Sequence, residues 1–308
     1  MHLLVTIAIP TYNRADSYLR HALSSAVEQT YTNIEIIVSD NCSVDNTEDV
    51  VKGFNDSRIR YFKQKENIGP WKNFNFCLQQ ANGIYFLVLS DDDLIDNDFI
   101  DACMKAAKYS TNIGIIRTGT RVIDSQEVVL RTRTNEVVGL STENFFRGWF
   151  TKKTAFYPCS TLFNTEKLRE IGGFGPENNL FHDGFVIVKL AAKFGRIDIV
   201  DVKASFRKHL DEITFAVKVK DWCRDSLLLL DSMCELVSEE YRETFREEGM
   251  QFFIRINYNR TKRIESPFKR FITYMMVFKM FNYKCLPPPL RNLLFRNPVF
   301  SLLKSIKR

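Results

Sequence analysis

Along the first 110 residues, apolar positions alternate between two spacings. Val5–Ile9 is a short apolar run, and Ser17–Gln29 follows with Leu19, Ala22, Leu23, Ala26 and Val27 at helical intervals. Ile34–Val38 is apolar and β-branched, as a strand buried on both faces requires. The spacing then predicts a helix over Asp45–Phe54, N-capped by Asp45 or Asn46, and a strand over Ile59–Phe62. A helix over Trp71–Gln80, a strand over Ile84–Leu89, a helix over Asn97–Tyr109 and a strand over Gly114–Thr120 complete the series. This rhythm implies an α/β fold, a mostly parallel sheet with helices on both faces.

The next hundred residues are mixed. Val122–Arg131 alternates as a strand does, and Phe156–Phe163 predicts another strand. Gly172–Pro176 must be a loop. Asp183–Phe194 predicts a helix with Phe185, Val186, Val188, Leu190 and Ala191 facing the core, and Ile197–Val200 a short strand. From about Thr214 the pattern is helical, broken by Pro267, Pro287–Pro289 and Pro298. The expected division is an α/β domain over 1–212, with parts over about 1–110 and about 111–212, and a helical region over 213–308.

Sheets of this kind bind ligands at the carboxyl ends of their strands. Three polar clusters follow such ends here: Thr11-Tyr12-Asn13-Arg14, Asp40-Asn41 and Asp91-Asp92-Asp93. They are expected to converge in space. A row of carboxylates repels itself, so folding alone does not favour it, and a hard divalent cation such as Mg²⁺ or Mn²⁺ offsets that cost. Such an ion would also neutralise charge growing on a diphosphate leaving group. The plainer reading is a polar loop that caps the next helix. Asp40 is a candidate acceptor for a nucleobase N–H or, alternatively, an exposed turn former. Tyr12 could stack on the base, and Arg14 or Lys65 could meet a diphosphate.

Composition sharpens the picture in three places. With 308 residues and 45% apolar content a sizeable core can form, and 26% charged residues is ordinary for a soluble protein. The seven cysteines show no CxxC pair, which argues against a zinc ribbon and for reduced thiols in a cytosolic setting. Met1–Ile7 is too short and lacks the basic flank of a signal peptide, and no run of about 18 apolar residues spans a membrane. The net charge of +6 hides an asymmetry: residues 259–308 hold 12 Lys/Arg against the single acid Glu265. Phe268–Phe281 and Leu290–Ile306 mix those cations with a heavy apolar load. That suits amphipathic helices on an anionic membrane, or a packed bundle or homo-oligomer contact, better than a nucleic-acid groove.

Ile9-Pro10-Thr11-Tyr12-Asn13-Arg14 resembles the opening motif of the family 2 glycosyltransferases, which have the GT-A fold. Val38–Asp45 resembles their second nucleotide-binding motif. Asn67-Ile68-Gly69 and Ala81–Tyr85 resemble the approach to their metal motif, and Leu89–Asp93 resembles their DxD motif. Ile171–Phe174 and His182–Phe185 resemble the acceptor loop and the region of the catalytic carboxylate. The likeness covers about residues 3–210, in order, and implies a catalytic domain over 1–212 in which about 1–110 would bind the donor and about 111–212 would form the acceptor side. It implies that Pro10 and Tyr12 line a base pocket and that Asp40 binds the base. Thr11, Arg14, Lys65 and Asn67 would join the nucleotide-sugar-binding set. Asp91 would reach the ribose, and Asp92 or Asp93 would hold Mn²⁺ or Mg²⁺, the triplet permitting either register. Asp183 would be the general base of an inverting transfer. His182 departs from the family's frequent glutamate. His209 lies where some relatives place a histidine near the metal.

The reaction so implied moves a hexose-type sugar from a UDP- or dTDP-linked donor to a hydroxyl of a glycan, lipid-linked, in bacterial surface-polysaccharide synthesis. The setting would be cytoplasmic, peripheral to the inner membrane. A sugar-phosphate nucleotidyltransferase would carry a glycine-rich phosphate loop, and residues 9–16 contain no glycine. A non-catalytic membrane or carbohydrate-binding protein would have no need of Asp40, Asp91–Asp93 and Asp183.

Overall fold

A computed structural model of the chain describes residues 2–15, 17–175, 179–209 and 217–291. It divides into two compact units, Met1–Glu212 and Ile213–Arg308.

In the first unit, β1 (Val5–Thr11), β2 (Ile34–Asp40), β3 (Ile59–Lys63) and β4 (Tyr85–Val88) lie parallel in the order β3-β2-β1-β4. Every residue of β1, β2 and β4 is buried, because each has a strand on both edges; β3, at the sheet's edge, is only half-buried. Helices α1 (Leu19–Val27), α2 (Thr47–Lys52) and α3 (Pro70–Gln80) make the crossovers. The first two are shorter than the periodicity predicts. The Asp45 carboxylate accepts from Ala15 N–H and from both N–H and hydroxyl of Thr47, so it serves a loop and leaves Asn46 as the N-cap.

Beyond β4 the sheet becomes mixed. β5 (Leu94–Ile95) and α4 (Phe99–Ala106) lead to β6 (Ile115–Ile123) and β7 (Val129–Arg133); α5 (Thr142–Phe150) then precedes β8 (Thr161–Asn164) and α6 (Thr165–Glu170). The unit closes with α7 (His182–Phe194) and β9 (Arg196–Arg207). β8 is antiparallel to β4 and β6, β9 is parallel to β6, and β5 is antiparallel to β9. Among the described residues the sheet has nine strands, with β7 paired to β6 alone. The alternation over Val122–Arg131 is therefore a hairpin, turned by Asp124, whose carboxylate accepts from the N–H groups of Gln126 and Val128. The strand predicted at Phe156 starts only at Thr161, after a 3₁₀ turn over Pro158–Ser160. The short strand predicted at Ile197 runs on to Arg207, because β6 offers it a partner from Ile115 to Ile123.

The core packs Ile7, Ile9, Ile36, Val38 and Leu87 against Leu19, Leu23 and Ala26 of α1 and Phe99, Cys103 and Met104 of α4. Each such side chain contributes about 1.5–3 kcal/mol by leaving water. All seven cysteines are free thiols. Among the described residues no helix is long and apolar enough to cross a membrane.

The second unit contains α8 (Val219–Glu235), α9 (Glu239–Thr261) and α10 (Pro267–Met280), packed through Leu229, Leu230, Met233, Phe253 and Val277. Ser266 caps α10 by accepting from Lys269 N–H, with Pro267 in the first turn. The helix expected over Leu290–Ile306 falls, past Arg291, outside the described residues.

One loop of the first unit is tied down with unusual completeness. After α6, Gly172 and Gly173 hold φ of +92° and +71° and return their N–H groups to Arg169 and Leu168. Asn75 of α3 then accepts from Phe174 N–H and donates to Phe174 C=O, both at 2.8 Å. A Cβ on Gly173 would lie 2.4 Å from Asn75 Oδ1, whereas one on Gly172 would meet nothing within 4 Å. Gly172→Ala is expected to cost only the backbone conformation, about 1–2 kcal/mol. Gly173→Ala must also displace Asn75 and is expected to cost at least about 1 kcal/mol more. Urea midpoints for the two variants check this; equal losses would discard the Asn75 argument.

Candidate active site

The carboxyl ends of β1 and β2 are joined by a lattice of short polar contacts. Asn41 N–H donates to Thr11 C=O at 2.9 Å. Asn13 N–H donates to Ser43 Oγ, and Asn13 Oδ1 accepts from Val44 N–H. Asn13 and Cys42 hold φ of +54° and +68°, left-handed conformations that asparagine tolerates and that cost other side chains more. The β3–α3 loop joins the lattice. Asn41 donates to Asn67 Oδ1 and accepts from Ile68 N–H, and Asn67 Oδ1 also accepts from Gly69 N–H. The sequence thus spends its short polar side chains on fixing three loops, and strain is concentrated where they meet.

Asp40 is fully buried at this junction. One oxygen accepts from Ser43 N–H at 2.7 Å and the other from Tyr61 Oη at 2.6 Å. Pro10 is buried within β1, opposite Ser39. Tyr12, by contrast, is 44% exposed. Lys65 and Asn67 are exposed; of Lys65 the fixed atom is its carbonyl, which accepts from Cys42 Sγ.

The acidic triplet divides into three environments. Asp91 turns towards β1: Tyr12 N–H reaches its carboxylate at 3.4 Å. Burial raises its pKa to about 7, with the Asp92 charge adding to the rise, while the Thr11 hydroxyl, the Arg14 charge and Tyr12 N–H oppose it. Asp92 pairs with His209, Oδ2 to Nε2 at 2.9 Å. Asp93 is 2% exposed and faces the opposite way, accepting from Arg207 N–H at 2.9 Å. Burial, then the Asp92 charge, push its carboxyl well above the usual range. Six of the residues picked out in the sequence therefore meet in one place: Thr11, Tyr12, Arg14, Asp91, Asp92 and, through Asp92, His209.

Arg207 is the residue that sequence patterns miss. It is 1% exposed and links the acidic triplet to the β6–β7 turn. Beyond its N–H to Asp93, its Nε donates to Asp92 C=O at 2.7 Å, Nη1 to Asp124 C=O and Nη2 to Glu127. Its guanidinium lies 4.5 Å from the Tyr18 ring, and that ring lies 5.2 Å from the His209 ring. The only available signal was an arginine two residues before a histidine, which is weak. Beside this cluster opens a cleft of about 540 Å³ lined by Ser17, Tyr18, His21, Ser125, Gln126 and Glu127.

Asp183 arrives from elsewhere. Its helix begins at His182, whose ring lies 3.5 Å from that of Trp71 in the first turn of α3. Since α3 follows the carboxyl end of β3, that stack brings Asp183 to the same side of the sheet as the three loops. Asp183 keeps part of its surface open while protein atoms crowd its carboxyl, which raises its pKa to about 6 against the opposing hydrogen bond from Gly184 N–H. Phe181, not Asp183, is the N-cap of the helix.

Among the described residues, no group of three or more His, Cys, Asp or Glu side chains is placed to hold a metal by itself. The donor set still fits an ion that keeps waters and takes phosphate oxygens from its substrate. Asp92 and His209 present a carboxylate and an imidazole to one point, and such ions need only one or two protein carboxylates.

The profile of glycosyl transferase family 2 matches residues 6–172. An uncharacterised glycosyltransferase of Rickettsia felis is 36% identical over 180 residues, 56% of this chain and 28% of that protein. Glycosyltransferase GlyA of Streptococcus pneumoniae is 35% identical over 114 residues, 36% of this chain and 16% of that one. The chain spans less than a third of the length of these relatives. Among solved structures, S. aureus TarS with UDP-GlcNAc superposes with a TM-score of 0.71 at 17% identity, over 90% of this chain and 80% of that one. The mannosyltransferase PcManGT of Pyrobaculum calidifontis, with GDP-Man and Mn²⁺, gives 0.57 at 17% identity, over 97% and 80%. The fold is thus GT-A, with helices following it. With more than half its length matched by the family profile, this chain belongs to glycosyl transferase family 2.

Proposed function

We propose that the chain transfers a sugar from a UDP- or dTDP-linked donor to a hydroxyl of a glycan acceptor, with inversion at the anomeric carbon and with a divalent cation. The observation that carries this reading is the contact from Tyr12 N–H to Asp91, which joins the base-side loops to the acidic triplet. The nucleotide-sugar and Mn²⁺ held by the TarS and PcManGT structures support donor class and cation.

The exposed Tyr12 ring offers a stacking face for the base. Asp40 fixes the pocket loop and retains acceptor capacity beyond its two bonds, since a carboxylate has about four lone-pair sites. Arg14 and Lys65 supply positive charge for the diphosphate, and Asp91 accepts from the ribose. Asp92 and His209 would be the metal's protein ligands in this reading, because the Asp92 side chain keeps 20% of its surface open whereas Asp93 is buried. When bound, Mn²⁺ or Mg²⁺ supplies positive charge against the leaving diphosphate. Asp183 takes the proton of the acceptor hydroxyl as that oxygen bonds to the anomeric carbon and the bond to the diphosphate breaks. A carboxyl whose pKa is about 6 is well matched to this at neutral pH. The acceptor we infer is lipid-linked and at the cytoplasmic face of a bacterial membrane, which the bacterial relatives and the basic C-terminal segment support.

Asp183→Asn is expected to lower kcat by about 10²–10⁴-fold with little change in donor KM. The same variant should be more stable at neutral pH. The folded-state pKa of Asp183 lies above the unfolded value, so the native state favours its proton; that stabilisation is present at low pH and lost as pH rises through about 6. Removing the charge restores up to about 1–3 kcal/mol. Transfer assays with chemical denaturation check both, and retained activity would exclude Asp183 as the base.

In wild-type enzyme, kcat/KM should fall about tenfold per pH unit below about 6, the acid-limb pKa of the free enzyme. A pH profile that is flat down to pH 5 contradicts the assignment.

Mn²⁺ added with UDP should raise the melting temperature beyond UDP alone, by about 2.7 kcal/mol of stability at a hundred times Kd. Asp92→Asn should remove the Mn²⁺-dependent part. An undiminished Mn²⁺ effect in that variant, read by thermal shift, would rule out Asp92 as ligand.

A further inference from the structure

The outer face of α10 is apolar where a solvent-facing helix is ordinarily polar. Phe268, Phe271, Ile272 and Met275 stand at positions i, i+3, i+4 and i+7 and so form one stripe. Phe268 is 74% exposed, Phe271 42% and Ile272 50%. The internal packing of the helix uses different residues. Tyr274 and Val277 are buried, and the Tyr274 ring sits edge-on to Tyr258 at 5.6 Å. The stripe is therefore not the seam by which α10 joins α8 and α9.

Charge says what covers it. Lys269 flanks the stripe, and Lys279 continues it one turn past Met275. Lys262, Arg263 and Lys284, at the two ends of α10, are exposed as well. Residues 259–308 hold 12 Lys/Arg and one acid. A surface that is both apolar and cationic matches the boundary of an anionic bilayer. Phenyl rings enter the acyl edge there, and lysines extend along their stems to the lipid phosphates. A nucleic acid would match the charge and leave the stripe uncovered. A second copy of this face would bring its cations against their own kind.

We propose that the outer face of α10 docks the chain on an anionic lipid bilayer, with Phe268, Phe271 and Ile272 inserted at the acyl boundary. This deepens the reading that the acceptor is lipid-linked and rests on that reading for its biological sense.

The test is co-sedimentation of the full chain with vesicles of phosphatidylcholine alone and of phosphatidylcholine mixed with phosphatidylglycerol. Binding to the mixed vesicles is expected to be at least about tenfold tighter and to weaken as salt rises. Phe268→Ser with Phe271→Ser should weaken it by roughly tenfold or more. Lys269→Ala with Lys279→Ala should weaken it roughly fivefold per cation removed. Both pairs lie away from the buried face, and unchanged melting temperatures verify that the variants fold. The shift in melting temperature with UDP and Mn²⁺ is measured alongside. Vesicle binding without that shift would undermine the donor reading alone, and the shift without vesicle binding would undermine the docking face alone. Equal binding to the two vesicle types, or undiminished binding by the serine pair, overturns the proposal. So does a wild-type dimer that the serine pair dissociates, since that assigns the face to a second copy.

Discussion

Three consecutive carboxylates at the end of a buried strand cannot share one environment. Two like charges about 4 Å apart cost on the order of 4 kcal/mol near a protein surface. The chain resolves this by sending each side chain to a different partner: Asp91 to the Tyr12 amide, Asp92 to His209 and Asp93 to the Arg207 amide. The three partners come from two distant stretches of sequence, so the triplet requires the β1 loop and the end of β9 to arrive together. Much of the geometry around the site follows from that requirement. The long β9 is needed to bring Arg207 and His209 to Asp92 and Asp93, and the β6 register that supports β9 is needed to hold it there.

Arg207 is the hub of that arrival. Its side chain is fully buried, and burying a guanidinium costs least when its donors are used. Here they reach Asp92 C=O, Asp124 C=O and Glu127. The positive charge sits behind the triplet and the hairpin turn locks it in place, so the β6–β7 hairpin, far from the site in sequence, becomes part of its support. Glu127 is itself shared with His21 of α1 at 2.7 Å, which ties the first crossover helix to the same hub.

What could be read from sequence follows from how local the determining forces are. The parallel half of the sheet was legible because β1, β2 and β4 are buried on both faces and flanked by helices whose apolar spacing is plain. The antiparallel half was less so. Val122–Arg131 reads as one alternating run, yet Asp124 turns it back on itself, a contact between a carboxylate and two amides that periodicity does not register. The extension of β9 from Val200 to Arg207 is equally invisible, since Asp201 and Lys203 interrupt the apolar run and pairing with β6 carries the strand through. At the site, the acids and Tyr12 were legible by type and order. Which way each carboxylate points was not, because that depends on amides contributed by other strands.

That last point alters the meaning of the triplet. Read as a motif, Asp92 and Asp93 are interchangeable, and a literal D-x-D even prefers the latter. Read as structure, they differ in what each must satisfy. Asp93 accepts a backbone N–H inside the core and is 2% exposed, so a ligand has no open side from which to reach its carboxylate. Asp92 meets a side chain instead, and an imidazole can exchange a carboxylate partner for an ion without orphaning any backbone group. The asymmetry is one of access: Asp92 is the carboxylate of the two with part of its side chain open. It also gives Asp93 a reason to be acidic that has nothing to do with binding: it anchors β9, and with it the histidine that Asp92 needs.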